Sequence, residues 1–162
     1  MINLQIAEDL EQALPEGALP LLGDKALYER AAEAAVRFAN PEQEAELTIL
    51  LTGDEQVREL NRQYREIDAS TDVLSFPAGD IDPDSGNLYL GDLVISLPRA
   101  LSQAETEGHP AQEELRLLVV HGVLHLLGYD HADEQEQAEM WAAQREILSR
   151  LDTDGKTANP DQ

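Results

Sequence analysis

Polar and apolar residues alternate along "INLQIAE", residues 2–8, and this period of two predicts a first strand. Residues 10–22, "LEQALPEGALPLL", are broken by two prolines and a glycine and read as a connection. The period then lengthens. "GDKALYERAAEAAVRFAN" is alanine-rich and helical in pattern, and it stops at Asn40-Pro41, where the residue before proline disfavours helix. "AELTILLT", residues 45–52, is a short, partly β-branched apolar run and predicts a second strand. Thr52 and Glu55 have the spacing of a capping box, opening a helix whose apolar positions are Val57, Leu60, Tyr64 and Ile67. "TDVLSFP" and "NLYLGDLVISL" predict strands three and four, joined through "AGDIDPDSG" by a loop or irregular hairpin. Ser96 is placed to cap a helix carrying Pro98 in its first turn, which ends near "EGHP".

"AQEELRLLVVHGVLHLLG" is the most apolar helical segment and is expected at the centre of the fold, with Gly128 as its stop. "DEQEQAEMWAAQREILSRL" predicts a last amphipathic helix that offers Met140, Trp141, Ile147 and Leu148 for packing. Residues 152–162 hold too little apolar surface to pack and are expected to form a disordered tail. The expectation is an α+β fold: one domain over residues 1–151, with a four-stranded sheet packed against about five helices. Pattern alone leaves the strand order open.

Composition narrows the chemistry. The chain has 162 residues, enough for a single core. No apolar run is long enough for a transmembrane helix, and "MINLQIAEDLEQ" lacks the basic start of a secretory signal, so the cytoplasm is the expected compartment. With no cysteine, any transition-metal site must be built from His, Asp or Glu. A net charge of -22 argues against a broad basic surface gripping many phosphates, though a metal and a few arginines can reverse the field locally. Solubility or salt adaptation accounts for the acidity more simply than an acidic partner-binding role.

Three of the four histidines lie in "HGVLHLLGYDH". His121 and His125, four apart on a helix, share a face, and Gly128 turns the chain so that His131 can supply a third corner. Three neutral nitrogens around one Zn²⁺ leave a fourth position open, as in a catalytic site. The competing reading is a set of satisfied core histidines, but the added glycine stop favours the metal. His109 lies outside the spacing and reads as a surface loop residue. The spacing is also that of metzincin proteases, yet position 122 is Gly where their motif carries the Glu that acts as general base. A mid-helix Gly costs about 1 kcal/mol relative to Ala, so close packing or open access to the metal is expected to offset it. Without an anion at 122, a site of charge +2 suits a phosphodiester.

Arg58, Arg62 and Arg65 recur at i, i+4, i+7 on the second helix. They form either a solvated stripe balanced by Glu55, Glu59 and Glu66, or a row whose planar forks hold phosphate oxygens.

"HGVLHLLGYDH", together with "LNRQYREIDASTDVLSFP" and "YLGDLVIS", resembles the YbeY family of bacterial endoribonucleases, in the same order and over about residues 46–150. The resemblance implies a zincin-like metal-binding helix, one Zn²⁺ per chain held by His121, His125 and His131, and a catalytic role for Arg65; Arg58 and Arg62 are substrate-binding candidates from the arginine row alone. It implies cleavage of single-stranded RNA, maturation of the 16S ribosomal RNA 3′ end and ribosome quality control. The expected partners are the small ribosomal subunit and its assembly factors, with no membrane and no DNA. Asp130 is either an acceptor behind a ligand or a turn residue. The rival readings are a metal-stabilised, non-catalytic assembly factor and, less favoured, a zincin-like metallopeptidase. The first forty residues and the tail show no match.

Overall fold

The computed structural model describes residues 1–42, 44–130 and 132–157, the last five by backbone alone. Four strands form one sheet: β1 (Ile2–Ile6), β2 (Ala45–Thr52), β3 (Val73–Ile81) and β4 (Leu88–Ser96). Their order is β1-β2-β4-β3, with β1, β2 and β4 parallel and β3 antiparallel on one edge. The period-two pattern sorts the strands' residues onto two faces. Leu47, Ile49, Leu51, Leu93 and Ile95 join the main core, while Leu74 and Val94 pack with Val57 on the other face.

The main core lies under α3 (Lys25–Ala39), α6 (Ala111–Leu126) and α7 (Glu134–Thr157). The other face is covered by α4 (Asp54–Arg65), and α5 (Leu97–Glu107) links the sheet to α6. These are the five expected helices. The expected connection instead contains two single-turn helices, α1 (Leu10–Ala13) and α2 (Pro20–Gly23), and a 3₁₀ turn at Glu16–Ala18. Pro15 and Pro20 limit each to about one turn, but Leu10, Leu14, Ala18, Leu21 and Leu22 are buried and tie the segment down. The hydroxyl of Tyr28, fully buried on α3, donates to the Leu21 carbonyl at 3.0 Å.

One local expectation is corrected. The cap of α4 is Gly53, with no side-chain cap bond, because Thr52 is still paired in β2, opposite Ser96 of β4. Of the two forms expected for the β3–β4 connection, the irregular hairpin is found: β3 runs past Pro77 to Ile81, with a register shift between Pro77 and Asp80. Ser96 does cap α5, accepting from the Arg99 N–H at 3.4 Å. Helix α7 continues to Thr157; residues 158–162 of the expected tail lie outside the described residues. Among the described residues no helix is long and apolar enough to cross a membrane.

The floor of the site is α6, and its placement depends on Gly122. A Cβ there would stand 2.7 Å from Leu93 Cδ2 and 3.1 Å from its Cδ1. The missing side chain lets α6 press onto β4, which offsets the helix-propensity cost. The Gly122 carbonyl also accepts from the Ser75 hydroxyl of β3 at 3.3 Å. Of the two explanations expected for this glycine, close packing is the one found. A glutamate at 122 would be driven into the sheet.

Candidate metal centre and its cavity

Helix α6 ends in a turn that reverses the chain. The Gly128 N–H bonds the His125 carbonyl at 3.1 Å and the Tyr129 N–H bonds the Leu124 carbonyl at 3.0 Å, the paired contacts of a Schellman motif. Gly128 takes φ of 102°, a conformation that side-chain-bearing residues rarely adopt. The reversal brings the Tyr129 carbonyl to 3.0 Å from His125 Nδ1. On the other side, Gln144 of α7 places its amide oxygen 3.0 Å from His121 Nδ1. Carbonyl oxygens only accept, so both Nδ1 atoms donate, and in the neutral rings both Nε2 atoms present a lone pair.

Those two Nε2 atoms are 3.2 Å apart, with the rings edge to face. In the neutral rings two lone pairs face each other, an arrangement relieved by positive charge between them, whether a proton or a metal ion. Two nitrogens so spaced, each about 2.0–2.1 Å from one Zn²⁺, would subtend about 100° at it, near the tetrahedral value. The donor set therefore fits a divalent metal, with each ligand's second nitrogen held as metal-binding imidazoles require. His131, the third expected ligand, lies outside the described residues.

His121 and His125 open onto a cavity of ≈ 370 Å³. Arg65, Thr71, Asp72, Val73, Ser75, Gln103, Glu114, Trp141 and Gln144 also line it. The arginine row does not act as a unit. Arg65, the last residue of α4, reaches the cavity, and among the described residues it has no ion pair. Arg58 instead forks onto Asp68, at 2.8 and 3.3 Å, and Arg62 pairs with Glu59. These carboxylates hold both guanidinium groups further into the charged range. Of the three arginines, Arg65 is the one that lines this cavity.

Arg58 has another effect. Residues 66–72 follow α4 and carry Thr71 and Asp72 to the cavity wall. Three contacts tie this loop down: Arg58 to Asp68, the buried Asn61 amide to the Ala69 carbonyl at 2.8 Å, and Ser70 to Asp54 at 2.5 Å. Asp54 is a junction. It also accepts from Ser96 at 3.1 Å and from Arg99 at 2.8 and 3.0 Å. The Arg99 contact, with help from Ser70 and Ser96, lowers its pKa to about 2.

His109 is not the simple surface residue expected. It is 28% exposed, and its Nε2 lies 2.6 Å from an oxygen of Glu114, which is fully buried. The other Glu114 oxygen is buried and has no hydrogen-bond partner among the described residues. Glu107, 3.5 Å from the same nitrogen, completes a group that could hold a metal on donor type alone. Its shortest contact is a hydrogen bond that partners a buried carboxylate.

Pattern reading missed Gln144, the Tyr129 carbonyl and the Asp54 junction. Gln144 carries no periodic or motif signal, a backbone carbonyl has no sequence identity, and Asp54 is an acid in the first turn of α4 whose partners Ser70, Ser96 and Arg99 lie far along the chain.

The family model of endoribonuclease YbeY matches residues 20–152. An endoribonuclease YbeY of Lachnoclostridium phytofermentans is 39% identical over 145 residues, covering 79% of this chain and 88% of that protein. One from Pelotomaculum thermopropionicum is 46% identical over 128 residues, covering 77% of this chain and 84% of its own. The solution structure of TM1509 from Thermotoga maritima superposes with a TM-score of 0.61 at 24% identity, covering 100% of this chain and 96% of that one, and shares the fold.

Proposed function

This chain belongs to the YbeY endoribonuclease family, and on that premise we propose that it is a zinc-dependent, single-strand-specific endoribonuclease of 16S ribosomal RNA 3′-end maturation and ribosome quality control. Its single domain acts in the cytoplasm, on single-stranded ribosomal RNA, with the small ribosomal subunit and assembly factors as partners. One observation carries the reading: the Nε2 atoms of His121 and His125 converge at 3.2 Å in a cavity that also receives Arg65. His121, His125 and, by its place in the motif, His131 hold one Zn²⁺. When bound, the metal supplies positive charge that polarises the scissile phosphate.

The chain's own groups do the rest. Gln144 and the Tyr129 carbonyl keep each Nδ1 protonated, so each Nε2 stays a donor to the metal. Arg65 takes a non-bridging phosphate oxygen in its fork and stabilises the charge that builds there in the transition state. Position 122 offers neither the carboxylate a peptidase of this spacing would use nor the space for one, which disfavours the peptidase reading.

The test uses the purified, zinc-loaded chain on an end-labelled, unstructured RNA and on the same RNA annealed to its complement. Cleavage of the single strand alone is expected, lost with a chelator and in His121→Ala. Arg65→Glu should lose cleavage while keeping stoichiometric metal. Undiminished cleavage in both variants would assign the activity to another protein. A 2′,3′-cyclic phosphate on the product would show attack by the RNA's own 2′-hydroxyl.

A further inference from the structure

Trp141 is the only tryptophan in the chain, and it is 54% exposed. It sits on α7 three residues before Gln144, so it shares a helix face with the amide that holds His121. Both line the cavity that receives Arg65. The expectation that Trp141 packs in the core is not met: Met140, Ala143 and Ile147 supply the buried face of α7 and fix its rotation, which leaves the indole at the cavity. A single exposed apolar residue is ordinary on a surface; one anchored at the mouth of a polar, metal-fitting cavity is not explained by that.

The chain's charge sharpens the question. At -22 the protein repels a polyanion, and Arg65 is the arginine that reaches the cavity. Phosphate contacts alone supply little affinity, so a nucleic acid must be held here in large part by something other than charge. An aromatic face does this for any base, and only for a base that is not already stacked in a duplex.

We propose that Trp141 is a stacking platform for an unpaired base next to the scissile phosphate, and the residue through which the cavity selects single strands. The proposal rests on the ribonuclease reading above and makes Trp141 a positioning residue, felt in binding rather than in turnover. A lone indole makes the test direct, because its emission reports on one site. With the zinc-loaded chain and a short unstructured oligoribonucleotide, emission should be quenched saturably; the same RNA in duplex should leave it unchanged. Anisotropy of the fluorescein-labelled RNA should weaken by ~5–150-fold in Trp141→Ala, the equivalent of one stacked base at ~1–3 kcal/mol. Trp141→Phe should stay within about threefold of the parent, and Trp141→Leu, which keeps apolar bulk without a π face, should behave like the alanine variant. The loss should appear in KM, with kcat little changed.

If the parent binds and cleaves RNA with no quenching, and the Leu variant binds as the parent does, the platform is refuted while the ribonuclease reading stands. If the parent neither binds nor cleaves, both fall.

Discussion

The amide oxygen of Gln144 on α7 lies 3.0 Å from His121 Nδ1 on α6, so a residue twenty-three positions away decides which nitrogen of the imidazole faces the metal site. Removing the acceptor frees the ring to turn and to change tautomer. Gln144→Ala should weaken zinc affinity by about 10–100-fold, the usual cost of losing such a partner, with little change in thermal stability. Competition against a chromogenic chelator measures it. An unchanged zinc affinity would show that the ring is held by other contacts.

Gly122→Ala sets two effects against each other. Helix propensity favours alanine by about 1 kcal/mol. Against it, the new methyl would stand 2.7 Å from Leu93 Cδ2, and Leu93 is fully buried, so its side chain can move only against its core neighbours. Overpacking of this kind costs about 1–3 kcal/mol, so the variant should be destabilised. Combining it with Leu93→Ala should cost less than the sum of the two single changes, because the methyl then fills space that leucine vacates. Urea midpoints of the four proteins decide it, and strict additivity would mean the two residues do not press on one another.

Asp54 gives a pH dependence of defined sign. Its pKa is lowered to about 2 by Arg99, with Ser70 and Ser96, so its contribution to stability is present above the ordinary carboxylate pKa of about 4 and is lost as pH falls toward about 2. Asp54→Asn should therefore be less stable than the parent at neutral pH by an amount that is constant down to about pH 5 and shrinks below about pH 4. The pair is partly exposed and screened, so the gap is modest. Denaturant midpoints from pH 7 to pH 3 test this; a gap that widens with acid would contradict the assignment.

Salt should act weakly on RNA cleavage. If Arg65 is the main phosphate contact, log kcat/KM should fall with log salt at a slope no steeper than about -0.7, the value for one single-strand phosphate contact. Screening of the repulsion from the acidic surface makes it shallower still. A slope of about -3 would demand a phosphate-binding surface that the arrangement of Arg58 and Arg62 does not provide.

The strands, the five longer helices and the Ser96 cap followed from residue type and period, because each depends on neighbours close in sequence. The Thr52 capping box failed for the opposite reason: pairing with Ser96 across the sheet kept Thr52 in its strand. The arginine row shows the same limit. Periodicity put Arg58, Arg62 and Arg65 along one helix with Glu59 beside them, but it held no information about Asp68, which claims Arg58, or about the cavity that receives Arg65. His109 looked like a loop residue until α6 placed the buried Glu114 against it.

By itself the chain's order of residues determined that two imidazoles share a helix face and that a glycine turn follows them, since helical spacing and the left-handed preference of glycine are local physics. Tertiary structure decided what those imidazoles can do. The Gln144 amide and the chain reversal at Tyr129 orient their protons, and Gly122 against Leu93 sets the height of the helix over the sheet. Such contacts join positions far apart in sequence, and their distances are set by how the whole core packs.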